Sequence, residues 1–207
     1  MAEKDPSAAR QDRAARVLAM QQAEKARGRR RVALLVAIPT VVVLAVAGTV
    51  AAVFLNRPAP PSLAAVQTYD YVGSQHSTEP QTYEENPPVG GPHNPVWLNC
   101  GVYDAPVPNE NAVHSMEHGA VWITYRPDLA ASEVDRLKED VAGETYTVLS
   151  PYEGLPSPIV LSAWNHQLKI EKADDPRVDA FLEKYVQGAQ TPEPGALCSN
   201  GTGTPTG

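Results

Sequence analysis

The stretch HSMEHGAVWITY, residues 114–125, changes its periodicity at a single glycine, and that change decides the fold. After Gly119, Val121, Ile123 and Tyr125 alternate with Trp122 and Thr124, the period-2 pattern of a strand. Before it, Asn111 is placed to cap a short helix over 112–118 and Gly119 to end it. In such a helix His114 and His118 share a face, with Glu117 beside them. Were the segment extended, positions 114 and 118 would stand roughly 13 Å apart and could not share one ion.

Downstream the pattern is regular. Ser132 is placed as the cap of a helix that Gly143 follows, with Glu133 and Asp135 in its first turn. Strands are expected at 145–152, 158–164 and 167–172, the last two joined by a tight Asn165-His166 turn. A helix over 174–188 has Pro176 near its start and Gly188 at its end, with Val178, Phe181, Leu182 and Tyr185 as its buried stripe. The order β-α-β-β-β-α predicts an α+β domain: a mixed sheet with two main helices on one or both faces. The β-β-α ending resembles that of thioredoxin-like folds in architecture, but there is no C-x-x-C motif for their redox chemistry.

Upstream the chain is Pro- and Gly-rich. A strand is expected at 67–73 and a short one at 97–104. Between them, 85–97 reads as loop, because its prolines and glycines forbid a regular ladder. Residues 56–63, NRPAPPSL, form a Pro-rich linker. The domain is therefore expected to run from 64 to 200, with 201–207 as a disordered tail.

Residues 32–55 carry no charge. At about 1.5 Å per residue this run is long enough to cross a hydrocarbon core of about 30 Å, and predicts one transmembrane helix. Pro39 and Gly48 are tolerable inside such a helix. Residues 1–31 hold nine basic and four acidic residues, a net of +5, and the rest holds eight against twenty, a net of −12. The basic cluster ending at Arg31 abuts the apolar run, so the positive-inside rule places the 1–31 arm in the cytoplasm and the C-terminal domain outside it. A cleaved signal peptide is the rival reading, but both its basic region and its core would be unusually long. The chain is thus expected to be a single-pass integral protein of the cytoplasmic membrane.

Cys100 and Cys198 are the only cysteines, and both fall on the extracytoplasmic side, where an oxidising compartment favours a disulfide. A metal thiolate at Cys100 is the alternative. The acidic outer domain disfavours nucleic acid, and the basic arm lacks aromatic residues to stack on bases. No phosphate-binding glycine motif supports a nucleotide enzyme. Ser115 lies among histidines, but no G-x-S-x-G elbow presents it as a nucleophile. Trp97, Trp122 and Trp164 read as core or half-buried sheet residues.

Four segments together, PPVGGPHNPVWLNCGVYDAPV, AVHSMEHGAVWITYRPDL, SPYEGLPSPIVLSAW and the FLEKYV…PEPGALC ending, resemble an uncharacterised bacterial family, domain of unknown function 3105. The resemblance covers roughly 64–200. It implies a single N-terminal membrane helix, as in actinobacterial members, and supplies no activity, substrate or cofactor. His166 in "WNH" stands where a small residue is expected, so the resemblance gives it no role.

H-x-x-E-H, spelled by His114, Glu117 and His118, is also the signature of one class of zinc peptidase. That class needs a long helix, and the strand starting after Gly119 leaves no room for it. A simpler metal site survives: His114 and His118, with His93 from the Gly-Pro loop as third ligand and Glu117 or Met116 completing the set. Histidine with carboxylate suits zinc, and histidine with thioether suits copper. In the structural alternative the same residues only knit a loop with few ladder bonds, and the domain is a non-catalytic interaction or scaffold module. No catalytic set is assigned and no protein partner is legible.

Overall fold

The computed structural model describes residues 6–56, 59 and 61–206. The chain divides into two compact units, Met1–Ala59 and Pro60–Gly207. The first is one helix, α1 (Pro6–Leu55), with Pro39 in its interior. It takes in residues 6–31 of the basic arm and the run expected as a membrane span. Among the described residues no helix is long and apolar enough to cross a membrane. The expected span falls partly outside that description, because the side chains of residues 32–34, 37, 38 and 41 are not described.

The second unit is an α+β domain. Its elements are β1 (Gln67–Thr68), β2 (Gly101–Val102), α2 (Asn109–Glu117), β3 (Val121–Tyr125), α3 (Ala131–Val141), β4 (Thr147–Pro151), β5 (Ile159–Ala163), β6 (His166–Ile170) and α4 (Arg177–Tyr185). They form one six-stranded sheet in the order β1-β6-β5-β3-β4-β2. It is mixed: β3 and β2 run parallel to β4, whereas β5 and β6 are antiparallel neighbours of β3 and β5. Parallel β3 and β4 need a crossover, and α3 supplies it.

The alternation in β3 divides the core in two. Val121, Ile123 and Tyr125 face a cluster containing Leu137 and Val141 of α3 and Val178, Phe181, Leu182 and Tyr185 of α4. Trp122 faces a second cluster with Val113 and Met116 of α2, together with Leu98, Tyr103, Val148 and Trp164. Both faces of the central strands are therefore covered, and β3, β4 and β5 are buried along their whole length. The stripe expected on the last helix is buried as read.

Several boundaries differ from expectation. Helix α2 starts earlier, after Pro108, so Asn111 lies inside it; its amide Nδ2 donates to the Val96 carbonyl (2.6 Å) instead of capping. Likewise α3 starts at Ala131 after Ala130, with Ser132 already in the first turn. The β5–β6 turn consists of Trp164 and Asn165, not Asn165 and His166. Asn165 takes the left-handed conformation that asparagine tolerates (φ 63°), and His166 opens β6. The strands expected at 67–73 and 97–104 shrink to two residues each, because the chain beside them bonds irregularly across the molecule.

Cys100 and Cys198 are joined in a disulfide across 98 positions of sequence, with Cα atoms 5.4 Å apart. This removes Cys100 as a thiolate ligand. The segment beyond, read as a free tail, lies along residues 97–102. Thr202 N–H donates to Trp97 O (2.8 Å), Asn99 N–H to Thr202 O (2.8 Å) and Thr206 N–H to Val102 O (2.7 Å).

A candidate metal centre at the start of the sheet

Helix α2 is short, and its C-terminal half is wholly buried from Ala112 to Glu117. A helix packed on its apolar face also carries its polar residues inward when another segment covers them. Here Met116 points into the core under Trp122, while His114, Glu117 and the C-capping His118 meet other loops. Gly119 makes the junction possible. It adopts φ +97°, which L side chains rarely take, and its N–H donates to Met116 O (2.9 Å) before β3 begins.

Two loop segments bring the remaining groups. Residues 75–77 and 93 pair as a short parallel bridge between His76 and His93: His93 N–H donates to Gln75 O (2.9 Å) and Ser77 N–H to His93 O (2.7 Å). This sets both imidazoles beside α2. The ligand atoms of His76, His93, His114 and Glu117 all lie within 4.8 Å of one another. The rings pack closely: His76 stacks on His114 at 4.8 Å between centroids, and His93 stands edge-on to both at 4.9 Å.

The hydrogen bonds fix the tautomers. A backbone carbonyl can only accept, so a ring nitrogen beside one must carry the proton. His93 Nδ1 donates to Gly91 O (2.8 Å), His114 Nδ1 to Asn94 O (2.6 Å) and His118 Nδ1 to Leu197 O (2.6 Å). In the neutral rings each Nε2 is then a bare lone pair. Yet Nε2 of His114 faces Nε2 of His118 across 2.9 Å, and Nε2 of His93 faces the Glu117 carboxylate Oε2 at 3.0 Å. Acceptor facing acceptor is repulsive unless a positive charge, a proton or an ion, lies between them.

Glu117 is fully buried and anchors the set. Its Oε1 accepts the Ser74 N–H (2.5 Å), and its Oε2 lies 3.4 Å from His76 Nε2 as well as against His93. Burial works to raise its carboxyl, but its contact with His93, the hydrogen bond from Ser74 N–H and the neighbouring histidines outweigh it and hold the group at about 2. It is a carboxylate at every ordinary pH. His114 goes the other way for an imidazole: burial, reinforced by the neighbouring His118, His93 and His76, pushes it down to about 4 against the bond to Asn94 O. It is a neutral imidazole at neutral pH.

Of the residues singled out in the sequence, His93, His114 and Glu117 converge. His118 stands beside them through its contact with His114, and also lies 3.6 Å from Glu193. Met116 does not join: on α2 it turns to the opposite side and is fully buried among apolar residues. His76 is the member the sequence did not single out. It sits in SQHSTEP, which has no periodicity, and only its bridge to His93 brings it in. It is also the solvent-exposed member, with 38% of its side chain accessible, and gives the cluster an open side. His166 lies elsewhere, bonded to Trp164 O (2.9 Å) and against Tyr185.

No curated protein and no solved structure matches the chain. The match that exists lies over the domain just described, taking in all four residues of the cluster and both cysteines: this chain belongs to the family described as protein of unknown function (DUF3105), whose pattern it matches over residues 74–200.

Proposed function

We propose that the protein binds a copper or zinc ion through the His76, His93, His114 and Glu117 cluster, in a domain held outside the cytoplasmic membrane by a single N-terminal helix. The observation that carries the metal reading is the tautomer conflict. Two of the set's imidazoles, His93 and His114, are oriented by backbone carbonyls so that their Nε2 lone pairs face the buried Glu117 carboxylate and the Nε2 of neighbouring His118, which a third carbonyl holds the same way. Metal-bound histidines are commonly held this way, with the second ring nitrogen donating to a carbonyl. A divalent ion at the meeting point would turn each repulsion into a coordination bond. With three histidines and one carboxylate the donors suit either ion.

The location is supported by the uncharged 32–55 run, by the basic residues on its N-terminal side, and by the exposure of described apolar side chains on α1 such as Leu35, Val43, Leu44, Phe54 and Leu55. A disulfide is also what an oxidising compartment favours. A purely structural role, as part of a scaffold or interaction domain, has one observation of its own. Glu117 ties three segments together, through Ser74 N–H, His93 and its own carbonyl, which accepts Glu193 N–H (3.1 Å).

Metal content separates the two readings. Protein produced in an oxidising compartment and desalted is expected to carry, or to take up, near one equivalent of copper or zinc by elemental analysis. A folded His114→Ala, His118→Ala double variant is expected to lose it. Metal-free wild type after soaking refutes metal binding and leaves the structural role.

A further inference from the structure

We infer that the domain holds a second ion site, separate from the histidine cluster, that takes a hard divalent cation, Ca²⁺ or Mg²⁺, between the end of α3 and α4. The site is a cavity of about 480 Å³ lined by Asp140, Glu144, Asp179, Leu182, Glu183 and Val186. Asp140 lies in the last turn of α3, Glu144 just beyond it, and Asp179 and Glu183 on α4. Four of the six lining residues are therefore acidic, and none is basic. None belongs to the histidine cluster.

Asp140 carries the inference. Only 5% of its side chain is accessible, and its Oδ1 accepts from Arg136 Nη2 (2.7 Å). Its Oδ2 is buried and has no hydrogen-bond partner among the described residues. A buried carboxylate oxygen without a donor costs more than a buried neutral group, and a bound cation relieves it directly. The surroundings act in the same direction. At the C-terminal end of α3 the helix carbonyls already concentrate negative charge, which favours a cation. Asp179 and Glu183 are four residues apart on α4, a spacing at which like charges repel. Burial raises the Asp140 carboxyl, and Asp179 and Glu139 add to it against the pull of Arg136.

The four carboxylates offer oxygen only, which suits calcium and magnesium rather than ions that prefer imidazole or thiolate. Glu144, Asp179 and Glu183 are exposed and can turn toward an ion, and the cavity is wide enough for that ion to keep part of its water shell. Extracellular modules with oxygen sites bind such ions at about 10⁻⁴–10⁻³ M.

The test uses the full chain in detergent, stripped with a chelator and desalted. Calcium chloride and magnesium chloride are titrated separately, by calorimetry and by thermal melting, against potassium chloride at matched ionic strength. The expected result, with at least one of the two salts, is one ion per chain at a Kd of that order. Its melting temperature then rises by about 3–6 °C when the ion is at about ten times the Kd. Asp140→Asn keeps the side-chain shape and an acceptor for Arg136, and abolishes the response. Asp179→Asn, at an exposed position, weakens it several-fold, and His76→Ala leaves it unchanged.

No binding of either ion, a potassium control that reproduces the whole shift, or an equal response in folded Asp140→Asn overturns the site. Should Asp140→Asn fail to fold, an equal response in Asp179→Asn overturns it instead. Loss of the response in His76→Ala overturns it too, because the ion would then sit at the histidines. Copper and zinc content bears only on the histidine cluster, so either site can fail without the other.

Discussion

Acid should loosen this domain through one histidine. In the metal-free protein His114 is held near 4, against 6.5 in the unfolded chain. Between those values the unfolded state binds a proton that the native state refuses, so stability rises with pH across the window and falls as pH drops through it. The stabilisation is fully present above about 6.5 and gone below about 4. A shift of that size is worth about 3 kcal/mol in all, of which about 2 kcal/mol is lost between about pH 7 and about pH 4.5. The full value applies because His114 is almost completely shielded from solvent (3% exposed). Glu117 adds a second loss of the same sign at lower pH, beginning near 4.5 and complete near 2. The assay is urea unfolding in the presence of chelator, because bound metal would couple to the same protons. Tryptophan fluorescence is the probe, since all three tryptophans lie in the second unit and α1 is silent. A His114→Gln variant should start less stable at neutral pH and lose about 2 kcal/mol less than the wild type over the window. An equal acid loss in both proteins would refute the reasoning.

Three further outcomes follow from the packing. Gly119→Ala places a methyl group against Gln187 and Thr191 at a φ of +97°, and should destabilise by about 1–3 kcal/mol, read as a lowered melting temperature. Met116→Leu conserves volume in the second core cluster, so it should cost less than about 1.5 kcal/mol and leave metal stoichiometry unchanged by elemental analysis. Cys198→Ser opens a link across 98 positions, and chemical denaturation should show a loss of about 4 kcal/mol.

The regular half of the domain was legible because its residues obey local rules. Alternation in 121–125 marks β3, and the spacing of Val178, Phe181, Leu182 and Tyr185 marks α4; each pattern is set by which face is buried. Helix starts were less legible. Asn111 and Ser132 are good caps in isolation, but Asn111 finds a better partner in Val96 O, a contact across the fold. The strand order was not legible at all, since β3 sits between β4 and β5 through pairings no local pattern encodes. The site divides in the same way. His114 and Glu117 share a short helix, and their proximity is visible in spacing. His76 reaches them only through a two-residue bridge to His93, with nothing in its neighbours to announce it. Met116 misleads because neighbours in sequence on a helix point in different directions, whereas residues three and four apart share a face.

The pairing of Thr202 and Thr206 with Trp97–Val102 has a practical consequence for handling the protein. β2 is the last strand of the sheet, and its outer edge would otherwise offer free N–H and C=O groups to any extended chain. The final residues occupy that edge and are pinned there by the disulfide just before them. A truncation that stops at Asn200 would uncover a template for self-association, however small its effect on the core. Purification tags are best kept off this end, and a shortened chain that aggregates should be blamed first on its unprotected edge.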